Sequence, residues 1–255
     1  LMGLVLMFTL LPAWAQSPHG YLTELMALYA EEGNHNRIES PFNGVVLVAK
    51  GDEILHKKAY GYFNIDAEIP LTLNDRFLIG SVTKQFTAVL VLQQVEKGKL
   101  SLTGKVSQYL PFMKGRVKDV TIHQLLSHAS GLPHYEGLRR LGIDYDEFRQ
   151  SAFPPMAYAK LIDKMTLINT PGTEYYYSSM NYNLLGAILE QVTGKSFQQL
   201  LKQQITEPLK MTNTGYESND FVQERVARGY TFEEAGFFEN LFTGKKGDYQ
   251  RARFR

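Results

Sequence analysis

The order in which hydrophobic periodicity changes along this chain constrains its fold more than any other feature. Val45, Val46, Leu47 and Val48 form a solid apolar run, and Gly51-Asp52 supplies a turn. Residues 53–61 then return as a second strand, so the pair predicts a β-hairpin. After Phe77-Leu78-Ile79-Gly80 the period turns helical, with a long pattern over residues 81–97 that Gly98 ends. Thr121-Ile122-His123-Gln124 is a capping box for a short helix closed by Gly131 and Pro133. Residues 183–192 read as an apolar helix stopped by Gly194. Ser196-Phe197-Gln198-Gln199 caps a further helix that reaches Ile205, ahead of Pro208. Residues 18–32 carry another helical pattern, closed by Gly33-Asn34. Residues 134–175 carry little pattern, with Pro154-Pro155 breaking them and Pro171-Gly172 closing them. Strands at the front and helices in the middle leave a sheet in need of more strands at the back. There the only candidate is 226–232, followed by a basic end (Lys245, Lys246, Arg251, Arg253, Arg255) that reads as a solvated tail.

At 255 residues, with 44% apolar and 21% charged residues, the chain can bury a large core as one domain or two interleaved ones. A formal net charge of +1 gives no bulk pull toward nucleic acid, so no such partner is expected. The absence of cysteine excludes disulfides, thiolate zinc sites, iron–sulfur clusters and a cysteine nucleophile. Residues 1–15 are uncharged, with an apolar run through Leu4, Leu6, Phe8 and Leu11 and then Ala13-Trp14-Ala15. That pattern predicts a signal peptide over 1–15, cleaved after Ala15, and a mature domain over 16–255. The run is too short to span a bilayer stably, so the expected location is periplasmic or secreted. Leu1 stands where a basic leading segment is usual, which points to a clipped or misassigned start.

The chemistry-bearing motifs are few. His123 and His128 are spaced wrongly for two ligands on one helix face and have no HExxH context, so no metal is expected. No GxSxG, P-loop or GxGxxG occurs, which removes the anchors of the α/β-hydrolase, nucleotide and dinucleotide readings. What remains is Ser81-Val82-Thr83-Lys84. Residues three apart share a helix face, so the Ser81 hydroxyl and the Lys84 amine can meet. Ser81 also falls in a first helical turn, where free N–H groups favour a developing oxyanion. The spacing alone is weak evidence. With 12 serines and 16 lysines, ~0.75 such pairs are expected by chance, and a Ser cap followed by an exposed Lys explains the motif equally well.

The surrounding residues decide the matter. Residues 77–87, Phe-Leu-Ile-Gly-Ser-Val-Thr-Lys-Gln-Phe-Thr, resemble the active-site segment of serine β-lactamase-like hydrolases. That family includes class C β-lactamases, related esterases and D-Ala-specific penicillin-recognising peptidases. Residues 125–133, Leu-Leu-Ser-His-Ala-Ser-Gly-Leu-Pro, look like the family's next segment, a helix running into a loop. Residues 171–179, Pro-Gly-Thr-Glu-Tyr-Tyr-Tyr-Ser-Ser, look like the second catalytic motif. The resemblance covers roughly residues 40–230. It implies an α/β, β-lactamase-like fold: an antiparallel sheet flanked by helices, plus a mainly helical region over about residues 95–215, with the site between the two.

Residue by residue, the resemblance makes Ser81 the acyl-accepting nucleophile, Lys84 its activating neighbour and Tyr177 the proton acceptor and donor. It implies no metal or organic cofactor, and a β-lactam, D-Ala peptide or small ester as substrate. Two departures stand out. Ser179 occupies the place of the family's Asn two after the Tyr, and Asn181 is expected to point elsewhere. The third motif, near the family's C-terminus, has no credible match, because Gly244-Lys245-Lys246-Gly247 lacks strand flanks. From this the sequence predicts a chain short of C-terminal strands, slow in turnover and inclined to self-associate through an unpaired sheet edge. The competing expectation is a non-catalytic or slowly acylated penicillin-binding-like domain.

Overall fold

The computed structural model describes residues 20–21, 23–24, 42–144, 154–216, 226–227, 229–234 and 247–251. The expected signal peptide and most of the expected helix over 18–32 lie outside the described residues. The chain divides into two compact units. One takes the described residues up to Leu78 and from Val226 onward, and the other runs from Ile79 to Tyr216. Among the described residues, no helix is long and apolar enough to cross a membrane.

The first unit is built on the predicted hairpin. Strands β1 (Gly44–Lys50) and β2 (Glu53–Tyr60) pair antiparallel, with Gly44 opposite Tyr60 and a bulge between Val48 and Ala49. His56 and Tyr60, on one face of β2, are buried and hydrogen-bonded to each other at 3.0 Å. Leu47 and Ile54 are 59% and 58% exposed. A second small ladder joins β3 (Tyr62–Asn64) to β4 (Ile69–Pro70), and the Asn43 amide braces it by bonding both backbone polar groups of Tyr62.

Two expectations about the C-terminal part need correction. The strand placed at 226–232 is instead β5 (Tyr230–Glu234), while Val226 makes only an isolated parallel bridge with Arg76. Nor is the basic end all tail. Gly247–Arg251 forms β6, antiparallel to β5, with Arg251 opposite Tyr230. Strand propensity is weak there, and a partner strand decides the outcome. Lys245, Lys246, Arg253 and Arg255 lie outside the described residues.

The second unit is helical and begins at Ile79, earlier than the expected boundary near 95, so it includes the Ser81 segment. A 3₁₀ turn over Gly80–Val82 leads into α1 (Thr83–Glu96). Beyond it come α2 (Val106–Tyr109), α3 (Ile122–Leu126), α4 (Glu136–Arg140), α5 (Pro155–Ile162), α6 (Ser179–Thr193) and α7 (Phe197–Leu201). The last widens into a π turn over Lys202–Thr206. The Thr121 and Ser196 capping boxes are both formed.

Pro154-Pro155 opens α5 rather than breaking the chain. Pro155 takes the first helical position, where a missing N–H costs nothing and a fixed φ helps. Helix α6 starts four residues before its apolar pattern, because the Ser178 hydroxyl caps the Met180 N–H at 3.2 Å. This helix is the axis of the unit and packs against α1, α2, α3, α5 and α7. Leu184, Leu185 and Ile188 of α6 are fully buried, as are Leu90 and Val91 of α1. At about 1.5–3 kcal/mol for each buried aliphatic side chain, this seam holds the ends of α1 and α6 in register. Those two helix ends carry Lys84 and Ser179.

Candidate active site

Gly80 has φ +50, a left-handed conformation that a side chain disfavours, and it turns the chain into the 3₁₀ turn that carries Ser81. One helical step later, on α1, Lys84 Nζ donates to Ser81 Oγ at 3.0 Å. From the N-terminal side of α6, Tyr177 brings its hydroxyl to 2.7 Å from Ser81 Oγ, and Ser179 accepts from Lys84 Nζ at 3.3 Å. The four residues named from the sequence therefore meet, and all of them belong to the helical unit.

Lys84 is walled by polar oxygens and aromatic faces. Its ammonium lies 4.9 Å from the centre of the Tyr177 ring and 5.7 Å from that of Tyr182. Among the described residues, no carboxylate forms an ion pair with it. Its positive charge is thus directed at Ser81, Ser179 and Tyr177. For Tyr177, burial pushes the phenol pKa up. Hydrogen bonds from Lys84 and Ser81, the Lys84 charge and Ser179 outweigh that effect, so the phenol titrates below an ordinary tyrosine.

The loop holding Tyr177 is laced to the loop after α3. Ser178 Oγ donates to the Pro133 carbonyl at 2.7 Å, Gly172 N–H to Ala129 O at 2.7 Å, and Ile168 N–H to Gly131 O at 2.8 Å. Tyr182 donates to Leu126 O at 3.0 Å. A half-buried Glu136 accepts from the Tyr176 hydroxyl at 2.8 Å and from the His134 backbone N–H at 2.9 Å. Asn181 does point elsewhere: it is fully buried, and its Oδ1 accepts from Ser130 Oγ at 2.5 Å.

From the sequence, His128 has no role beyond its unsuitable spacing for a metal, and neither Glu136 nor Ser130 is singled out. His128 is buried against Tyr177, with ring centres 4.6 Å apart. The one signal in the sequence was its place in the Ser-His-Ala-Ser-Gly run that leaves α3.

Comparison with known proteins places the chain in a family. Residues 35–249 match the family described as Beta-lactamase. A teichoic acid D-alanine hydrolase of Staphylococcus aureus is 31% identical over 197 residues, 77% of this chain and 47% of that protein. Protein flp of Staphylococcus aureus (strain NCTC 8325 / PS 47) is 30% identical over 192 residues, 74% of this chain and 37% of that protein. The chain thus spans less than half the length of these curated relatives. Among solved structures, EstCE1, a hydrolase with promiscuous acyltransferase activity, superposes with a TM-score of 0.74 at 25% identity. The match covers 91% of this chain and 60% of EstCE1. Helices joined to small antiparallel sheets are the architecture that this superposition shares. The chain belongs to the Beta-lactamase family.

Proposed function

We propose that this protein is a serine hydrolase that forms an acyl-enzyme on Ser81. The observation that carries the reading is the position of Ser81 Oγ, 3.0 Å from the Lys84 ammonium and 2.7 Å from the Tyr177 hydroxyl. Because Lys84 donates to Oγ, the serine's own hydrogen is free to point at the tyrosine oxygen. A phenol with its ordinary pKa of about 10 is a poor base near neutrality, and the cation beside it makes it a better one.

In the first half-reaction Tyr177, as phenolate, takes the Ser81 proton while Oγ bonds to the substrate carbonyl carbon. The carbonyl electron pair moves onto oxygen. Collapse of that tetrahedral species breaks the bond to the leaving group, which recovers the proton from Tyr177. In the second half-reaction water takes the serine's place: Tyr177 removes its proton, the ester to Ser81 breaks, and Oγ is reprotonated. Lys84 holds Ser81 Oγ and Ser179 Oγ in place.

The relatives suggest the substrate range: a D-alanyl ester, by the name of the teichoic acid D-alanine hydrolase, and other acyl groups, by the description of EstCE1. The proposed substrates are therefore a D-alanyl ester or amide, a small ester or a β-lactam. One observation favours a second reading, a slowly acylated penicillin-binding-like domain. Ser179 offers Lys84 and substrate one short hydroxyl where an amide would offer both a donor and an acceptor.

Intact mass spectrometry during incubation with an activated ester and with a labelled β-lactam tests both readings. A transient adduct on Ser81 with product release supports the hydrolase, and a lasting adduct supports the slow domain. The absence of any adduct overturns both. Export is proposed on the strength of residues 1–15, and a mature N-terminus at Gln16 is its test.

A further inference from the structure

One residue holds the chain on both sides of Tyr177. The His128 carbonyl accepts from the Tyr176 N–H at 2.8 Å, and His128 Nδ1 accepts from the Ser178 N–H at 3.2 Å. Between these two bonds the imidazole lies against the Tyr177 ring, at 4.6 Å between centres and a tilt of 33°. His128 adopts φ +57, a left-handed backbone conformation uncommon for a residue with a side chain, and it is 9% exposed. That conformation lets the carbonyl and the ring of one residue grip the same short loop.

The donors fix the tautomer. A backbone N–H cannot accept, so Nδ1 must be the unprotonated nitrogen facing Ser178. Asn181 adds a second donor. Leu132 N–H donates to Ser130 Oγ at 3.0 Å, which leaves the Ser130 hydrogen for Asn181 Oδ1. The Asn181 amide nitrogen is then directed at His128 Nδ1, at 3.1 Å. Two N–H groups converge on Nδ1, so the ring's proton sits on Nε2.

We propose that His128, as the neutral Nε2–H tautomer, is the positioning residue of Tyr177 and holds its hydroxyl against Ser81 only while it stays neutral. A proton on Nδ1 would face two donors and break the grip on Ser178. It would also put a second positive charge beside Lys84. The titratable and charged groups that face the ring are Lys84 from α1, His134 from the loop after α3, Tyr175 and Tyr177 from the loop before α6, and Tyr182 from α6 itself. Burial, and then the Lys84 charge, hold the imidazole pKa below that of a free histidine.

The inference rests on the acyl-transfer reading above, and the test separates the two. His128→Asn puts an amide oxygen where Nδ1 stands, tolerates the left-handed backbone and cannot titrate. His128→Leu removes the acceptor. The burst of p-nitrophenol from p-nitrophenyl acetate reports acylation as a function of pH. Near-UV circular dichroism reports whether each variant is folded.

His128→Asn should stay within about tenfold of the parent near neutrality and keep the acid limb that the Tyr177 phenolate imposes, while losing the extra steepness that His128 protonation adds to the parent's. His128→Leu should fall by about a hundredfold, the scale of a small misplacement of a reacting group. Equal losses in the two variants, or an acid limb in His128→Asn as steep as the parent's, would overturn the proposal. Isotope-labelled histidine and tyrosine NMR tests it without turnover. His128 should appear as the Nε2–H tautomer, and the Tyr177 phenol should titrate higher in His128→Asn and higher still in His128→Leu. An Nδ1–H tautomer, or a Tyr177 titration indifferent to both variants, would overturn it. These signals stand even if the parent is never acylated, and should His128→Leu not fold, His128→Asn and the tautomer decide. A parent that is never acylated on Ser81 removes the hydrolase reading instead.

Discussion

Ser81 Oγ and the Tyr177 hydroxyl stand 2.7 Å apart although 96 positions separate them in the chain. Neither residue's local structure achieves this alone. Ser81 is set by the turn at Gly80 and the start of α1, and Tyr177 by the lacing of its loop to the segment that leaves α3. The buried seam between α1 and α6 carries both ends to the same place.

Removal of either partner of that contact should separate nucleophile from base. Ser81→Ala is expected to abolish the covalent adduct. Tyr177→Phe removes the base and Lys84→Ala the cation that makes the phenol one, so each should leave Ser81 present and slow its acylation by about 10²–10⁴, the scale of a general base. Stopped-flow acylation by an activated ester, with intact mass as the check on site, gives the comparison. Parent-like ester hydrolysis by Ser81→Ala would move the nucleophile elsewhere.

Ser179→Asn is expected to speed acylation. Its hydroxyl already accepts from Lys84 at 3.3 Å, and an amide there keeps an acceptor while adding a donor for substrate. A gain of up to about tenfold, or ~1.4 kcal/mol in the barrier, is the expected scale. A clear loss in the same acylation assay would mean that the site is built around the short hydroxyl.

Acid should destabilise the helical unit before it protonates most carboxylates. Burial, and then Lys84, lower the His128 pKa. Burial lowers that of His134 as well, with Glu136 opposing and Lys84 assisting. A histidine with a lower pKa folded than unfolded takes up its proton more readily when unfolded. Its contribution to stability is complete above the unfolded value of about 6.5 and shrinks as pH falls below it toward the folded value. Urea midpoints at about pH 7.5 and about pH 5.5 should show the loss, and His128→Asn should recover part of it. A midpoint that does not change over that interval would contradict a pKa lower folded than unfolded for these two rings.

What the sequence made legible here was local. The turn at Gly51, the capping boxes at Thr121 and Ser196 and the Ser81–Lys84 pair each depend on residues within one turn of one another, so spacing suffices to find them. His128 was missed because its bonds to Ser178 and Asn181 span 50 and 53 positions, and no period encodes them. Strand β6 was missed for a related reason, since a polar Gly-Asp-Tyr-Gln-Arg segment becomes a strand only through its ladder with β5. Pro154-Pro155 misled in another way. Proline breaks a helix from inside and begins one from its first position, and the residues C-terminal to it decide between the two.

Two glycines near the site should respond to alanine in opposite ways. Both have positive φ, Gly80 at +50 and Gly131 at +75, so each substitution carries a left-handed penalty of about 1–2 kcal/mol. Their surroundings differ. A Cβ on Gly80 would meet nothing within 4 Å, so the backbone can relax, and the relaxation rotates Ser81, the next residue. A Cβ on Gly131 would lie 2.2 Å from the Asn169 carbonyl oxygen, in the ladder where Gly131 O accepts from Ile168 N–H at 2.8 Å. Backbone cannot yield there without parting the loop after α3 from the loop that carries Tyr177. Gly80→Ala should therefore cost acylation rate out of proportion to stability. Gly131→Ala should lower the urea midpoint clearly, by more than its conformational penalty alone, and weaken acylation as a consequence. Urea unfolding and burst kinetics on both variants provide the four numbers needed. If Gly131→Ala unfolds at the parent's midpoint, the contact between the two loops is not what holds Tyr177 in place.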